Sequence, residues 1–267
     1  MIGFCPLASG SRGNSYLLST PHCKVLIDAG ISGRAIKARL EELDVKVEDL
    51  DAILITHEHT DHVQALKVLS LKLGIPIFCN HDTAKAIIEY LSDTPKFKIF
   101  SSNETFEFED LVVSPFSIPH DATDPVAFSI QVQSCDLKVG ICTDLGFYHQ
   151  HIEDNLKLSD YLVLESNHDP SMVHACNRPY VYKQRVLSRT GHLSNEECGK
   201  LLNSLMHPKL KHVFLAHLSS ECNNPEKALL TAERAIGHHL DMKPKITIAF
   251  QDRNSEAIIF NEKKLKA

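Results

Sequence analysis

The sequence predicts a mixed α/β fold in which two β-sheets pack together with helices on their outer faces. Three observations carry this expectation. Short β-branched runs recur along the chain, helical patterns separate several of them, and 267 residues with 43% hydrophobic content can bury a large core. No linker, repeat or low-complexity segment interrupts the order, so residues 1–267 read as a single domain.

In order, strands are expected at Lys24 to Asp28, Ala52 to Thr56 and Ile75 to Cys79, with helices at Gly33 to Leu43, Val63 to Leu73 and Thr83 to Leu91. Three strands then follow one another without a helix between them, which suits antiparallel pairing: Leu111 to Ile118, Val126 to Gln133 and Leu137 to Asp144. The second half closes with strands Tyr161 to Ser166, Lys211 to His217, Lys245 to Phe250 and Glu256 to Phe260. Helices Asn195 to Met206 and Pro225 to Leu240 alternate with these. The basic run Lys263-Lys264-Leu265-Lys266 reads as a frayed, solvated end.

No apolar run approaches the ~18–20 residues of a membrane span, and Met1 to Pro6 lacks the features of a secretory leader, so a soluble, cytoplasmic protein with no membrane partner is expected. Eight cysteines without a C-x-x-C pair read as free thiols, with Cys79 and Cys142 as small buried residues of apolar strands. A net charge of −6 argues against a surface that holds nucleic acid everywhere. One local basic patch stands out, in which Arg178, Lys183, Arg185 and Arg189 interleave with Tyr180 and Tyr182; on charge alone it reads as a solvated surface insertion. No feature specifies an oligomeric state.

The chemistry is concentrated in Thr56-His57-Glu58-His59-Thr60-Asp61-His62, directly after the apolar run Ala52-Ile53-Leu54-Ile55. A sharp turn after a strand can point His57 and His59 toward one cation while Asp61 and His62 reach a second. A polar loop with an accidental histidine excess is the plainer alternative, but ordinary loops carry histidine singly. The helical metalloprotease pattern is excluded, because it spaces its two histidines four apart and these are two apart. Further polar residues fall where apolar runs stop: Asp28 after Val25-Leu26-Ile27, His120 after Ser117-Ile118-Pro119, Asp144 after Val139 to Thr143, and His217 after Val213 to Ala216. Any one of them alone would be a cap or a satisfied polar residue. Together with the 57–62 cluster they make a full dinuclear set.

That ordered set resembles the metallo-β-lactamase superfamily over nearly the whole chain. The resemblance implies a four-layer αββα sandwich of two mixed sheets flanked by helices. It also implies two divalent metal ions, zinc with manganese as the alternative. His57, His59 and His120 would hold one ion, Asp61, His62 and His217 the other, with Asp144 bridging. Asp28 would support a ligand through a hydrogen bond rather than bind metal, and Glu58 and Thr60 would be structural.

Ser9-Gly10-Ser11-Arg12-Gly13-Asn14, Pro119 to Pro125, Glu165-Ser166-Asn167-His168-Asp169 and Gly191-His192-Leu193-Ser194-Asn195 further resemble the YycJ/WalJ-type branch, described as DNA exonucleases acting from the 5′ end. The pair Glu165 and His192 is similar to the one by which ribonuclease Z protonates a leaving oxygen, and Ser194 with Glu197 has the spacing of a capping box that would fix His192. The implied reaction is attack on phosphorus by a hydroxide shared between the metals, with His192, Glu165 and Asp61 as the catalytic set. Asn14, Asn167, His168 and Arg185 would contact substrate or orient His192. DNA is favoured over RNA as the partner. The chain lacks the long tRNA-binding arm of ribonuclease Z and the inserted domain of β-CASP nucleases, so neither relative's substrate carries over. A ribonuclease Z-like RNA-processing activity and a glyoxalase II-like thioester or lactone hydrolase are the alternatives, followed by a binding module braced by metal.

Overall fold

The computed structural model describes residues 1–239 and 242–260. Strands β1 (Gly3–Ala8), β2 (Ser15–Ser19), β3 (Lys24–Ile27), β4 (Ala52–Leu54), β5 (Ile77–Cys79) and β6 (Phe97–Ile99) build one sheet. β7 (Phe106–Phe108), β8 (Leu111–Ser117), β9 (Val126–Val132), β10 (Leu137–Cys142), β11 (Tyr161–Glu165), β12 (His212–Ala216) and β13 (Lys245–Ile248) build the other. β14 (Ile258–Ile259) returns to the first sheet beside β1. The helices are α1 (Gly33–Glu41), α2 (Thr60–Val63), α3 (His81–Leu91), α4 (Gln150–Leu156), α5 (Pro170–Ala175), α6 (Tyr180–Val186), α7 (Asn195–Ser204) and α8 (Pro225–Ile236).

Among the described residues each sheet has seven strands and changes character part-way across. In the first, β1, β2 and β3 pair antiparallel, whereas β3 to β6 pair parallel. In the second, β7 to β10 pair antiparallel and β10 to β13 parallel. β3 and β10 are thus the switch strands, and Asp28 and Asp144 lie just beyond their C-terminal ends. Strand order runs without reversal past both points, so what changes at β3 and β10 is the pairing direction, and both carboxyl ends open toward the same site.

Between the sheets lies a core that includes Phe4, Tyr16, Phe128 and Phe214, each side chain contributing ~1.5–3 kcal/mol by leaving water. Ile36, Leu40 and Ile87 cover the outer face of the first sheet, and Ile152, Leu201, Leu202 and Ala228 that of the second. This is the four-layer sandwich. Because helices cover the outer faces, β1, β2, β11 and β12 are buried along their whole length rather than in alternation.

Several elements depart from expectation. β1 and β2 escaped a search for β-branched runs because their sequences, GFCPLA and SYLLS, contain none. β6 and β7 have three residues each, and α4, α5 and α6 have six or seven, too few to show a period. The helix expected over Val63 to Leu73 divides into α2 and a π-helical stretch, Lys67–Lys72. The expected strand over Glu256 to Phe260 shrinks to β14. Leu240 and the run Lys263 to Lys266 lie outside the described residues.

Candidate metal centre

The 57–62 turn is fixed from below by a carboxylate. Asp28, wholly buried, accepts from Thr56 N at Oδ1 (2.9 Å) and from the Thr56 hydroxyl at Oδ2 (2.9 Å). Its Oδ2 also accepts from His62 Nδ1 at 2.8 Å. That contact fixes the ring so that Nε2 faces Asp144 Oδ2, 3.3 Å away, and Asp61 Oδ2 at 3.8 Å. His57 Nδ1 lies 3.0 Å from the Thr56 hydroxyl, leaving Nε2 toward His59 Nδ1 at 3.1 Å. Helix α2 starts directly after His59 and carries Asp61 and His62 in its single turn.

The opposite wall comes from the second sheet. Asp144 Oδ1 lies 3.2 Å from His217 Nδ1 and 3.9 Å from His120 Nε2. Glu165, the last residue of β11 and fully buried, gathers four donors. Its Oε1 accepts from His192 Nδ1 (2.8 Å) and His217 Nδ1 (2.9 Å), and its Oε2 from Leu145 N (2.5 Å) and Leu193 N (3.2 Å). Asp28, Asp144 and His217 all have positive φ, 59°, 57° and 54°. Ordinary side chains avoid this left-handed region, and its use at three positions in one site marks backbone strain held by the surrounding packing.

Burial drives Asp144 toward its neutral form, yet His217 and His62 outweigh it and hold the carboxylate well below the usual range. For Glu165 burial is likewise overcome, by His192 and His217, to about 2. Burial disfavours charge on His217, but Asp144 and Glu165 raise it to about 9. His57 has its pKa lowered by burial and by His62. The field around the two carboxylates therefore favours positive charge.

Three buried ligand-type atoms, His120 Nε2, His217 Nε2 and Asp144 Oδ2, have no hydrogen-bond partner among the described residues. Buried polar atoms without partners are costly, and a cation would remove that cost. Ligand atoms within 4.8 Å of one another group as His57, His59 and His120, as His57, His62 and Asp144, and as Asp144, Glu165, His192 and His217. An all-imidazole and carboxylate donor set of this kind fits a dinuclear divalent-metal site.

Above this floor is a cavity of about 320 Å³. His59, Asp61, His120, Asn167 and His192 reach it, and Arg178, Tyr182, Arg185 and Glu221 form its rim. Arg185 grips Asp121 through Nε (2.6 Å) and NH2 (3.1 Å), and Arg178 donates from Nε to Glu221 at 2.8 Å. The rim helices α5 and α6 have their own small core of Val173, Val186 and Cys222.

Not all expected substrate residues reach this space. Asn14 is completely buried and does not line the cavity, with its Nδ2 3.1 Å from His62 Nε2 and its Oδ1 accepting from Gly10 N at 2.9 Å. His168 is buried outside the cavity wall, its main chain bridging to Ser194. Asn167 reaches the cavity, but its amide also donates to the His217 carbonyl at 2.7 Å. Ser194 caps α7 by accepting from Glu197 N (3.2 Å), whereas the Glu197 carboxylate takes Lys200 at 2.5 Å, so only half of the capping box forms.

Other contributors gave less signal. Ser9 accepts from His217 N at 2.8 Å, so the Ser9 to Asn14 loop steadies both walls at once. Gly30 sits so close to this turn that a Cβ would lie 1.6 Å from the Asp61 carbonyl oxygen. Asp121, inside the Pro119 to Pro125 motif, presents its carbonyl 3.2 Å from His59 Nε2 and its carboxylate to Arg185. All eight cysteines are free thiols and none enters the ligand groups.

A family model described as the Metallo-beta-lactamase superfamily matches residues 8–217. The chain is 34% identical to exodeoxyribonuclease YycJ of Bacillus anthracis over 238 residues, covering 88% of this chain and 89% of that one. It is 36% identical to exodeoxyribonuclease WalJ of Streptococcus pneumoniae over 246 residues, 89% of this chain and 91% of the relative. In structure it is similar to the metallo-beta-lactamase fold protein YhfI from Bacillus subtilis, with a TM-score of 0.71 at 17% identity over 94% of this chain and 97% of that one.

Proposed function

The chain belongs to the metallo-beta-lactamase superfamily and is a metal-dependent hydrolase, and from that premise we propose that it is an exodeoxyribonuclease that removes nucleotides from the 5′ end of DNA. His57, His59 and His120 would hold one divalent cation and Asp61, His62 and His217 a second, with Asp144 available to both. When bound, such ions supply Lewis-acid polarisation of a phosphodiester and activation of water.

The observation that carries the phosphodiesterase reading is the Glu165–His192 contact of 2.8 Å at the cavity edge. With Nδ1 committed to the carboxylate, His192 turns Nε2 to the substrate side, where it donates a proton to the departing sugar oxygen. A thiolate leaves without that help, so a thioester hydrolase has no use for the pair. Asp61 shapes the approach to phosphorus, and Asn167 with Arg185 positions the phosphate. No helix among the described residues is long and apolar enough to cross a membrane, and we place the enzyme with its nucleic acid in the cytoplasm.

The test sets bis(p-nitrophenyl) phosphate against a thioester, with and without chelator, and then follows end-labelled DNA on a sequencing ladder. Chelator-sensitive cleavage of the diester and stepwise loss from the 5′ end are expected. Turnover confined to the thioester would overturn the reading.

A further inference from the structure

Tyr180 and Val181 open α6 with 72% and 75% of their surfaces exposed, and among the described residues they are the only consecutive pair of large apolar side chains so exposed. Neither belongs to the small core that anchors this helix, which uses Val186 and Tyr182 instead. Helical spacing puts Val181 one turn before Arg185, on the flank that reaches the cavity, and Tyr180 beside Lys183 on the outer face. Neither side chain lines the cavity, but both stand about a turn before Arg185, which does; of the cations nearby, Arg178 and Arg185 pair with Glu221 and Asp121, Lys183 donates to the His174 carbonyl and Arg189 lies over the Phe147 ring. A local basic surface carrying an exposed ring suits a polyanion with stacking bases.

We propose that Tyr180 and Val181 form a stacking platform for unpaired bases of the DNA strand whose phosphate occupies the cavity. The proposal rests on the nuclease reading and adds to it that the strand is single at the cavity mouth. A base on the Tyr180 ring, flanked by Val181, would hold the strand in any sequence, because every base offers a flat face. The basic residues around the ring would follow the backbone. A blunt duplex must first fray to use the platform, so a single-stranded end binds more tightly than a blunt one.

The experiment titrates the full chain into a fluorescent single-stranded oligonucleotide made nuclease-resistant with phosphorothioate linkages, with 2-aminopurine near its 5′ end. Tyr180→Ala should weaken binding roughly 5- to 150-fold, the range for losing one base–aromatic stack, and abolish the 2-aminopurine quenching. Tyr180→Phe should restore both, and hydrolysis of bis(p-nitrophenyl) phosphate should be unchanged in either variant. The platform is overturned if Tyr180→Ala binds like the parent, if Tyr180→Phe is as weak as Tyr180→Ala, or if the substitution changes only self-association in sedimentation. A parent chain that cleaves the small diester but binds no oligonucleotide overturns the platform and leaves the phosphodiesterase standing. Tyr180-dependent binding without diester cleavage does the reverse.

Discussion

At the floor of the cavity Asp28 and Glu165 are completely buried and Asp144 nearly so, whereas at the rim the side chains of Arg178 and Arg185 are 49% and 55% exposed. The floor carboxylates meet imidazoles and backbone amides in a setting water does not reach. The rim arginines meet Glu221 and Asp121 where solvent screens the pairing, and exposed pairs of this kind contribute little to stability. A carboxylate partner in such a position is readily exchanged for a phosphate. On the proposed function, the floor would be preorganised for metal and the rim arginines would exchange their acids for a substrate phosphate.

The largest effects should come from breaking the floor. Asp144→Ala or His59→Ala should lose bound metal as well as activity, by more than the ~10²–10⁴-fold expected for a lost proton donor. Metal analysis by mass spectrometry checks this, and undiminished occupancy would refute the ligand assignment. His192→Ala should slow turnover by about 10²–10⁴-fold while keeping its metal, since its role is confined to the leaving oxygen. Glu165→Gln sharpens the contrast: because Glu165 holds both His192 and His217, it should lose turnover and also weaken metal affinity, which a competition titration with a chromogenic chelator would read. Asp28→Ala, which removes the partner of His62 Nδ1 and of Thr56, should cost about 10–100-fold in metal affinity or activity. The smallest effect should be at the rim, where Arg185→Ala should raise KM with little change in kcat and reduce the slope of log affinity against log salt by about one. A change in kcat alone would mean that Arg185 belongs to the floor.

The difference between these regions also governs what could be read in the sequence. His57, His59, Asp61 and His62 sit on one turn, so their association needs no tertiary information. Asp28, Asp144 and His217 were visible because each interrupts an apolar run at its end. Glu165 was paired with His192, but its bond to His217 joins residues 52 positions apart on adjacent parallel strands, and no local pattern encodes that. Asn14 was expected at the substrate only through the resemblance, and its burial follows from the packing of the Ser9 to Asn14 loop beside His62, which no local pattern encodes. β1 and β2 were missed for a related reason, since central strands buried on both faces need neither alternation nor β-branched residues. Rim helices of six and seven residues owe their form to a core shared with Cys222, which lies after β12 in the chain.

The chain passes from one sheet to the other only once before its final strand, between β6 and β7, and the intervening Ser101 to Thr105 is largely solvent-facing. Severing it would divide the chain into two pieces that share the core between the sheets, one carrying the histidine turn and the other Asp144, Glu165 and His217. Strand β14 belongs to the second piece but docks on the first, and so would act as a clasp between them. Reconstitution would then report on the site itself, because neither fragment alone holds a complete ligand shell.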